Sequence, residues 1–320
     1  MATGRDLHID VPLTTLVIKA FNTGLDQFIA QQVFPPPAAP VAKQSDKYYT
    51  IPKGAFLRIP NTKRAPKTLA NRIEFDVSSD SYFADNYALA GEIALEDLSN
   101  ADTALQLRQN TSKVVISGLL RDLEVRVANK VTSGTQLGSY VALSGGAKWN
   151  DFTNSSPISD VTTAHAFIAQ RTGVIANTLI IDRDTLKIVR RHPELLDMYK
   201  YTSGGQINDQ QLREVFEVER ILVGRGIKEN ALEGGTSSMT NIWGNNAIVA
   251  YIDPNPGGLD TVTFGIAPRW QPEGFPMPFV MGRQRFEGPG TKHIEVIEGQ
   301  YFQDEKVVAQ ELSYGILSTL

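Results

Sequence analysis

No stretch limits the fold more than Asn100–Thr132, which carries no proline and one glycine, Gly118. Val115, Leu119, Leu123, Val127 and Val131 recur every four residues, with Ile116 and Leu120 beside them. Side chains three and four apart share one face of a helix. The spacing predicts a single helix with one apolar stripe, capped by Asp102 and stopped at Gly134. At 1.5 Å per residue it would run about 45–50 Å, longer than a small domain is wide. Its polar face is expected to hold Arg108, Lys113, Arg121, Asp122, Glu124, Arg126 and Lys130. A coiled-coil arm or a bundle helix would also use such a stretch, but strict heptads are not sustained. A lone helix with a sheet packed against one side fits better.

The chain of 320 residues has room for two ordinary domains or one large irregular one. At 42% hydrophobic residues it can bury a sizeable core. A formal net charge of −4 argues against a general nucleic-acid binder. The absence of cysteine excludes disulfides, thiol catalysis and cysteine-ligated metals. No apolar run of about 18 residues suggests a membrane span. No basic region followed by an apolar core suggests a signal peptide, and no internal repeat is found.

Residues 1–45 read as an arm. Val11–Ile29 would form a short helix with Leu16, Ala20, Phe21, Leu25 and Phe28 on one face. Phe34 with Pro35, Pro36, Pro37 and Pro40 then forces an extended path. Such an arm buries little by itself and is expected to lie along another surface. Residues 43–102 hold the sharpest charge contrast. Lys43, Lys47, Lys53, Arg58, Lys63, Arg64, Lys67 and Arg72 face Asp46 alone over Lys43–Arg72. Over Ile73–Asp102 come Glu74, Asp76, Asp80, Asp85, Glu92, Glu96, Asp97 and Asp102, with no basic residue. Tyr48–Ile51 and Ile73–Val77 alternate as strands do. The stretch reads as a long two-stranded hairpin with a basic tip. Its charges could pair across the hairpin. They could instead bind a neighbouring subunit, with Lys53, Arg58, Lys63, Arg64, Lys67 and Arg72 set against Glu92, Glu96 and Asp97. A nucleic-acid-binding arm is the third reading, and the basic segment has few interleaved aromatics for it.

Beyond Gly134 helices and strands mix. Helices are expected from Ser159 or Asp160 to Arg171, over Asp184–Arg191, from Pro193 to Tyr199 and over Asp209–Phe216. Strands are expected at Thr178–Ile181, Val218–Val223 and Ala247–Ile252. These define a mixed domain at 136–280. Three further strands, Phe279–Phe286, Lys292–Tyr301 and Lys306–Leu317, would supply the sheet for the long helix.

Chemical motifs are sparse. His8, His165, His192 and His293 have no metal-ligand spacing. Gly224-Arg225-Gly226 is a fragment of a dinucleotide loop without a third glycine. Thr178–Thr185 is an apolar strand ending in D-x-D-T, similar to the nucleophile motif of haloacid-dehalogenase-type phosphatases. There the first Asp attacks phosphorus and Mg²⁺ neutralises charge. That reading would use Asp182 and Asp184. The acidic pair it needs after a later strand is missing, since Ala247–Ile252 leads only to Asp253 and Pro254. The plainer reading makes Asp184 the cap of a helix starting at Thr185.

The order of these parts resembles the tailed-bacteriophage major capsid protein, the Hong Kong 97-type fold. Local stretches carry the resemblance: Val77–Phe83 with Asp85–Leu89, Ala176–Leu179, Phe216–Gly224 and Ile242–Gly244. It spans about residues 45–310. It implies an α+β chain with an N-terminal arm at 1–45 and an extended hairpin loop at 46–84. A peripheral domain would combine 85–135 with returning strands at 281–320, and an axial domain would take 136–280. It implies no catalytic, cofactor-binding or metal residues. Copies would assemble as pentamers and hexamers into an icosahedral shell around double-stranded DNA, without sequence-specific binding. Portal, scaffolding and decoration proteins would be partners, and the site would be the virion, after assembly in the host cytoplasm. Some relatives join subunits through a lysine–asparagine isopeptide bond, for which no matching pair is found here. An encapsulin-like compartment shell shares the fold; the long basic hairpin and arm favour the virus.

Overall fold

A computed structural model describes residues 8–9, 27–50, 58–67, 69–70, 72, 78–100, 104–199, 207–232, 235–257, 261–275, 279–286 and 293–320. The long helix is present as Ala104–Thr132, 29 residues and about 43 Å of rise. Gly134, at φ +76°, takes the left-handed turn that ends it. Asp102, expected as its cap, lies outside the described residues. Val115, Leu119, Leu123, Val127 and Val131 are all buried, as are Ile116 and Leu120.

The helix lies across a five-stranded antiparallel sheet. Ile294–Gln303 is the central strand, paired along its whole length with Asp85–Ala94 on one side and with Phe279–Phe286 on the other. Arg269–Trp270 and His8–Ile9 complete the sheet. Two glycines let the helix approach closely. A Cβ on Gly91 would sit 2.4 Å from Thr111 Cγ2, and one on Gly299 would sit 3.1 Å from both Val115 and Leu119. Ionic contacts fasten the two layers. Arg108 donates to both oxygens of Glu295 at 2.7 and 2.9 Å. Arg126 donates to Glu305 at 2.9 Å and to Tyr301 at 3.0 Å, and stacks 3.5 Å over the Tyr87 ring. Both glutamates are buried. A bidentate, buried, fully paired contact of this kind fixes register as well as adding energy.

The second sheet is mixed, in the order Ser139–Ala142, Ser313–Leu317, Ala247–Ala250, Thr178–Asp182, Arg220–Gly224. Its two central strands, Ala247–Ala250 and Thr178–Asp182, are wholly buried, which accounts for the apolar runs Ala247–Ala250 and Leu179–Ile181. The helix Pro157–Thr172 covers it with Val161, Ala164 and Ile168. This corrects one expectation. The C-terminal stretch does not form a single strand from Lys306 that serves the long helix. It breaks after Lys306–Val307, and Ser313–Leu317 inserts into the mixed sheet, parallel to Ser139–Ala142. The helix Pro157–Thr172 also begins earlier than expected, capped by Ser156 rather than Ser159 or Asp160, because Pro157 suits the first helical turn.

The proline-rich arm lies along the body, as the sequence suggests. Phe34 packs 5.7 Å from Phe264, over Gly265; the Ala267 N–H donates to the Pro35 carbonyl, and the Ala38 and Val41 N–H groups donate to the Pro256 and Arg269 carbonyls. Residues 10–26, most of the expected helix Val11–Ile29, lie outside the described residues. Ile29 itself precedes a short helix, Ala30–Val33.

Glu124 departs from the expected polar face of the long helix. It is fully buried, and its carboxylate accepts hydrogen bonds from the Ile29 and Ala30 backbone N–H groups, at 3.0 and 2.7 Å, and from Trp243 Nε1 at 2.5 Å. One side chain therefore joins the arm, the long helix and the segment leading to Ala247–Ala250. Burial raises its pKa above the ordinary glutamate value, against the pull of those donors. The folded protein thus keeps this proton at pH values where the unfolded chain has released it. Stability from this group is then greatest at and below the ordinary glutamate pKa and falls as pH rises through the folded one. Glu124→Gln offers a single acceptor oxygen to three donors. It is expected to cost about 1–3 kcal/mol at neutral pH and to remove this part of the pH dependence. Guanidinium unfolding of both proteins across pH 4–8 checks it; equal stabilities would refute the clamp.

Candidate assembly interface

The hairpin is a two-stranded ribbon of Ser45–Thr50 and Ser78–Phe83, paired from Ser45↔Phe83 to Thr50↔Ser78. Its described strands begin earlier and return later than the alternation over Tyr48–Ile51 and Ile73–Val77 suggests. Residues 51–57 and 73–77 lie outside the described residues. The return strand reads Ser-Ser-Asp-Ser-Tyr-Phe and is mostly exposed, so no alternation of burial marked it. Tyr48 and Tyr82 hold the ribbon: Tyr48 donates to Asp80 at 2.9 Å and Tyr82 to the Lys43 carbonyl at 3.0 Å. Burial, together with the Asp80 carboxylate, pushes the Tyr48 phenol well above its usual range.

Ala84, fully buried, joins the ribbon to the long sheet. Its N–H donates to the Gln44 carbonyl at 2.9 Å, and Gln44 Nε2 donates back to the Ala84 carbonyl at 3.0 Å. The turn after the central strand grips the same place. Asp304 accepts from the Phe83 N–H at 3.2 Å, and Lys306 Nζ lies 3.3 Å from Asp80.

The charges expected to make intersubunit contacts are placed as follows. Arg58, Lys63, Arg64, Lys67 and Arg72 are exposed, as are Glu92, Glu96 and Asp97. Lys53 lies outside the described residues. Glu92 stands on Asp85–Ala94 opposite Val296, while Glu96 and Asp97 open the helix Leu95–Asn100. Within the ribbon Lys43 pairs with Asp46 at 3.1 Å, both well exposed, and Asp80 pairs outside it, with Lys306. Among the described residues, no ion pair joins the five basic positions to the three acidic ones. Ile59 and Leu69, beside the basic residues, are 94% and 86% exposed.

The other candidate chemistry resolves into packing. Asp182, not Asp184, caps the helix Arg183–Val189, accepting from the Asp184 N–H at 2.9 Å. Its side chain is buried, and Asn241 Nδ2 bridges Asp182 and Asp184 at 3.3 and 2.8 Å. Lys187 takes the other oxygen of Asp184. Among the described residues no group of three or more His, Asp or Glu side chains could hold a metal ion. Gly224 is needed because a Cβ there would sit 2.3 Å from the Trp243 ring, and Gly226 packs on Ile242 and Phe28. These glycines serve close packing. No helix among the described residues is long and apolar enough to cross a membrane.

One arrangement has no counterpart in the sequence motifs. Ser155 Oγ lies 3.0 Å from His192 Nε2, and the Glu194 carboxylate lies 3.9 Å from Nδ1. The residues match a serine–histidine–acid triad, but the hydrogen bonds run the wrong way. The Glu194 N–H donates to Nδ1 at 3.3 Å, which puts the ring proton on Nε2. Nε2 then donates to Ser155, whose hydroxyl donates to the Asp151 carbonyl at 2.7 Å. A general base would need its lone pair on Nε2. Burial also lowers the His192 pKa and keeps the ring neutral.

Asp182→Ala is expected to cost about 1–2 kcal/mol through the lost cap. Asp184→Ala, at a more exposed position, should cost less. Chemical unfolding of the two variants checks the order. Mg²⁺-dependent phosphate release by the wild type, absent in Asp182→Asn, would overturn the structural assignment.

No family model matches the chain. The chain is 28% identical over 266 residues to the major capsid protein of Pseudomonas phage JBD67, covering 82% of this chain and 83% of that protein. It is 27% identical over 253 residues to the major capsid protein of Burkholderia phage BcepMu, covering 78% of each. A phage-related protein from Bordetella bronchiseptica superposes with a TM-score of 0.74 at 25% identity over 98% of both chains. The capsid of cyanophage P-SCSP1u matches in fold alone, with a TM-score of 0.58 at 11% identity over 91% of this chain and 88% of that one. Over about four fifths of its length the chain is thus similar to phage major capsid proteins, on an α+β capsid fold.

Proposed function

We propose that this chain is the coat subunit of a tailed phage. Copies assemble as pentamers and hexamers into an icosahedral shell that encloses double-stranded DNA. The observation that carries the reading is the similarity to two phage major capsid proteins over most of their length. The shape supports it. The ribbon of Ser45–Thr50 with Ser78–Phe83 is only two strands wide, and the arm at 27–41 lies along the body, so neither is a domain of its own. Mild overall acidity suits a container that must hold a polyanion without clamping it, since strong non-specific binding would hinder packing and release.

In the Hong Kong 97-type partition we assign 1–45 to the arm, 46–84 to the extended loop and 136–280 to the axial domain. The peripheral domain takes 85–135 with the returning strands that begin at 281. Ser313–Leu317 is moved to the axial domain, because it pairs inside the mixed sheet. Portal, scaffolding and decoration proteins are the further partners of such a shell, assembled in the host cytoplasm and found in the virion. No catalytic role and no cofactor is proposed.

The basic tip, Lys53 to Arg72, is proposed to lie over Glu92, Glu96 and Asp97 of an adjacent subunit. Each exposed pair contributes only about 0–1 kcal/mol. A shell repeats the contact at every interface, and like charges elsewhere oppose wrong docking.

Wild-type protein should sediment as closed shells or capsomers. The assembly rate should fall as salt rises, since the Debye length shrinks from about 10 Å at 0.1 M to about 3 Å at 1 M. Reversing Lys63, Arg64 and Lys67 to Glu should block assembly, and reversing Glu92, Glu96 and Asp97 to Lys in the same chain should partly restore it. Normal assembly of the first triple variant, followed by light scattering, would sink the intersubunit pairing. A stable monomer at every concentration would sink the coat-protein reading.

A further inference from the structure

We infer that the turn Asp304–Glu305–Lys306 is the clamp that sets the angle between the hairpin ribbon and the body, and that this angle selects the shell geometry. The second half rests on the coat-protein reading; the first does not. Asp85–Ala94 pairs with the central strand down to Asp85↔Gln303, where that ladder ends. At Ala84 the chain changes partner, and Ser78–Phe83 pairs only with Ser45–Thr50. Beyond this point no further strand among the described residues flanks the ribbon, so the ladder no longer fixes its direction. A two-stranded ribbon alone is a weak structure.

The turn supplies what the ladder stops supplying. Asp304 takes the Phe83 N–H at 3.2 Å. Lys306 pairs with Asp80 at 3.3 Å, and Asp80 also accepts from Tyr48 on the other strand. Both strands of the ribbon are therefore tied to one turn. That turn is tied in its own right to the long helix. Glu305 pairs with Arg126 at 2.9 Å, and Lys130 donates to the Glu305 carbonyl and lies 3.8 Å from Asp304. The two sides of the clamp differ in exposure. The Glu305 side chain is 2% exposed, whereas Lys306 and Asp80 are 28% and 50% exposed. Solvent and salt weaken the ribbon side and leave the helix side intact. The ribbon can then swing about Ala84 while the body keeps its fold.

The chain has no cysteine, so spin labels can be placed at will. One goes on the ribbon at Lys47→Cys and one on the body at Lys187→Cys, both exposed. Double electron–electron resonance is recorded on unassembled subunits diluted with unlabelled chain. A narrow distance distribution is expected in the clamped protein, and a distribution at least twice as broad with Asp304→Ala and Lys306→Met together. The swap Asp80→Lys with Lys306→Asp, made in the otherwise native chain, should keep a distribution narrower than that of the double variant, which loss of packing alone would not do. An unchanged width in the double variant overturns the clamp. If the double variant fails to fold, Lys306→Met alone, at a partly exposed position, takes its place with the same two outcomes. Electron microscopy then tests the second half. Mixed diameters or open sheets from the broadened variant support it, and wild-type shells of one diameter overturn it. Wild-type chain that never assembles refutes the coat-protein reading, and the label distances still decide the clamp.

Discussion

The fold depends on one buried carboxylate. Glu124 sits in the second half of the long helix and satisfies donors from the arm and from Trp243. Without it, two backbone N–H groups and an indole N–H would be sealed in an apolar interior, each unpaired group costing about 1–3 kcal/mol. Around this point the helix belongs to both halves of the protein. Val115, Ile116, Leu119 and Leu120 pack on the antiparallel sheet, while Leu123, Val127, Ala128 and Val131 enter the core of the mixed sheet. A single unbroken helix thus carries two cores, and the polar clamp lies beside the point where its buried face passes from one core to the other. An apolar residue at 124 could fill the space but could not receive the arm.

The ionic contacts divide by exposure, and the division follows the work each does. Glu295 and Glu305 are buried and bound by Arg108 and Arg126, at 2.7 and 2.9 Å. Such pairs are screened little by salt, and they fix how the helix lies on the sheet. Arg58, Lys63, Arg64, Lys67 and Arg72, like Glu92, Glu96 and Asp97, are exposed, and among the described residues no ion pair joins the two groups. Charges of that kind act over a Debye length and change sign of effect with what approaches them. The body is held by ion pairs that salt hardly reaches, and the hairpin by pairs that it reaches easily.

Much of this was legible in the sequence, for identifiable reasons. The long helix, its apolar stripe and its stop at Gly134 follow from a period that burial on one side enforces. Thr178–Asp182 and Ala247–Ala250 were legible because strands buried on both faces carry apolar runs, here Leu179–Ile181 and Ala247–Ala250. The return strand Ser78–Phe83 was not, because an exposed ribbon imposes no alternation. Ser313–Leu317 was misplaced because a strand's pattern does not name its partner; only the fold puts it between Ser139–Ala142 and Ala247–Ala250. Asp182 lost its cap role to Asp184 in the sequence reading through a two-residue ambiguity in the helix start that backbone geometry resolves. Glu124 had a signal that charge obscured. It lies four residues after Leu120 and three before Val127, on the apolar face, where a lone glutamate must find donors or cost the fold dearly.

The same reasoning explains why the hairpin base is polar when the rest of the junction could have been apolar. At Ala84 the backbone leaves one partner strand for another, so a few N–H and C=O groups lose their regular mates. Gln44, Asp304 and the Ala84 backbone supply substitutes one by one. Apolar packing would have left those groups unpaired, and a continued ladder would have made the hairpin a rigid extension of the long sheet. A polar junction satisfies the backbone and still yields to water, because each bond broken there can be replaced by one to solvent. A joint built this way is strong in the assembled geometry and soft outside it. Apolar packing offers no such exchange, since every contact it loses exposes surface that water cannot satisfy.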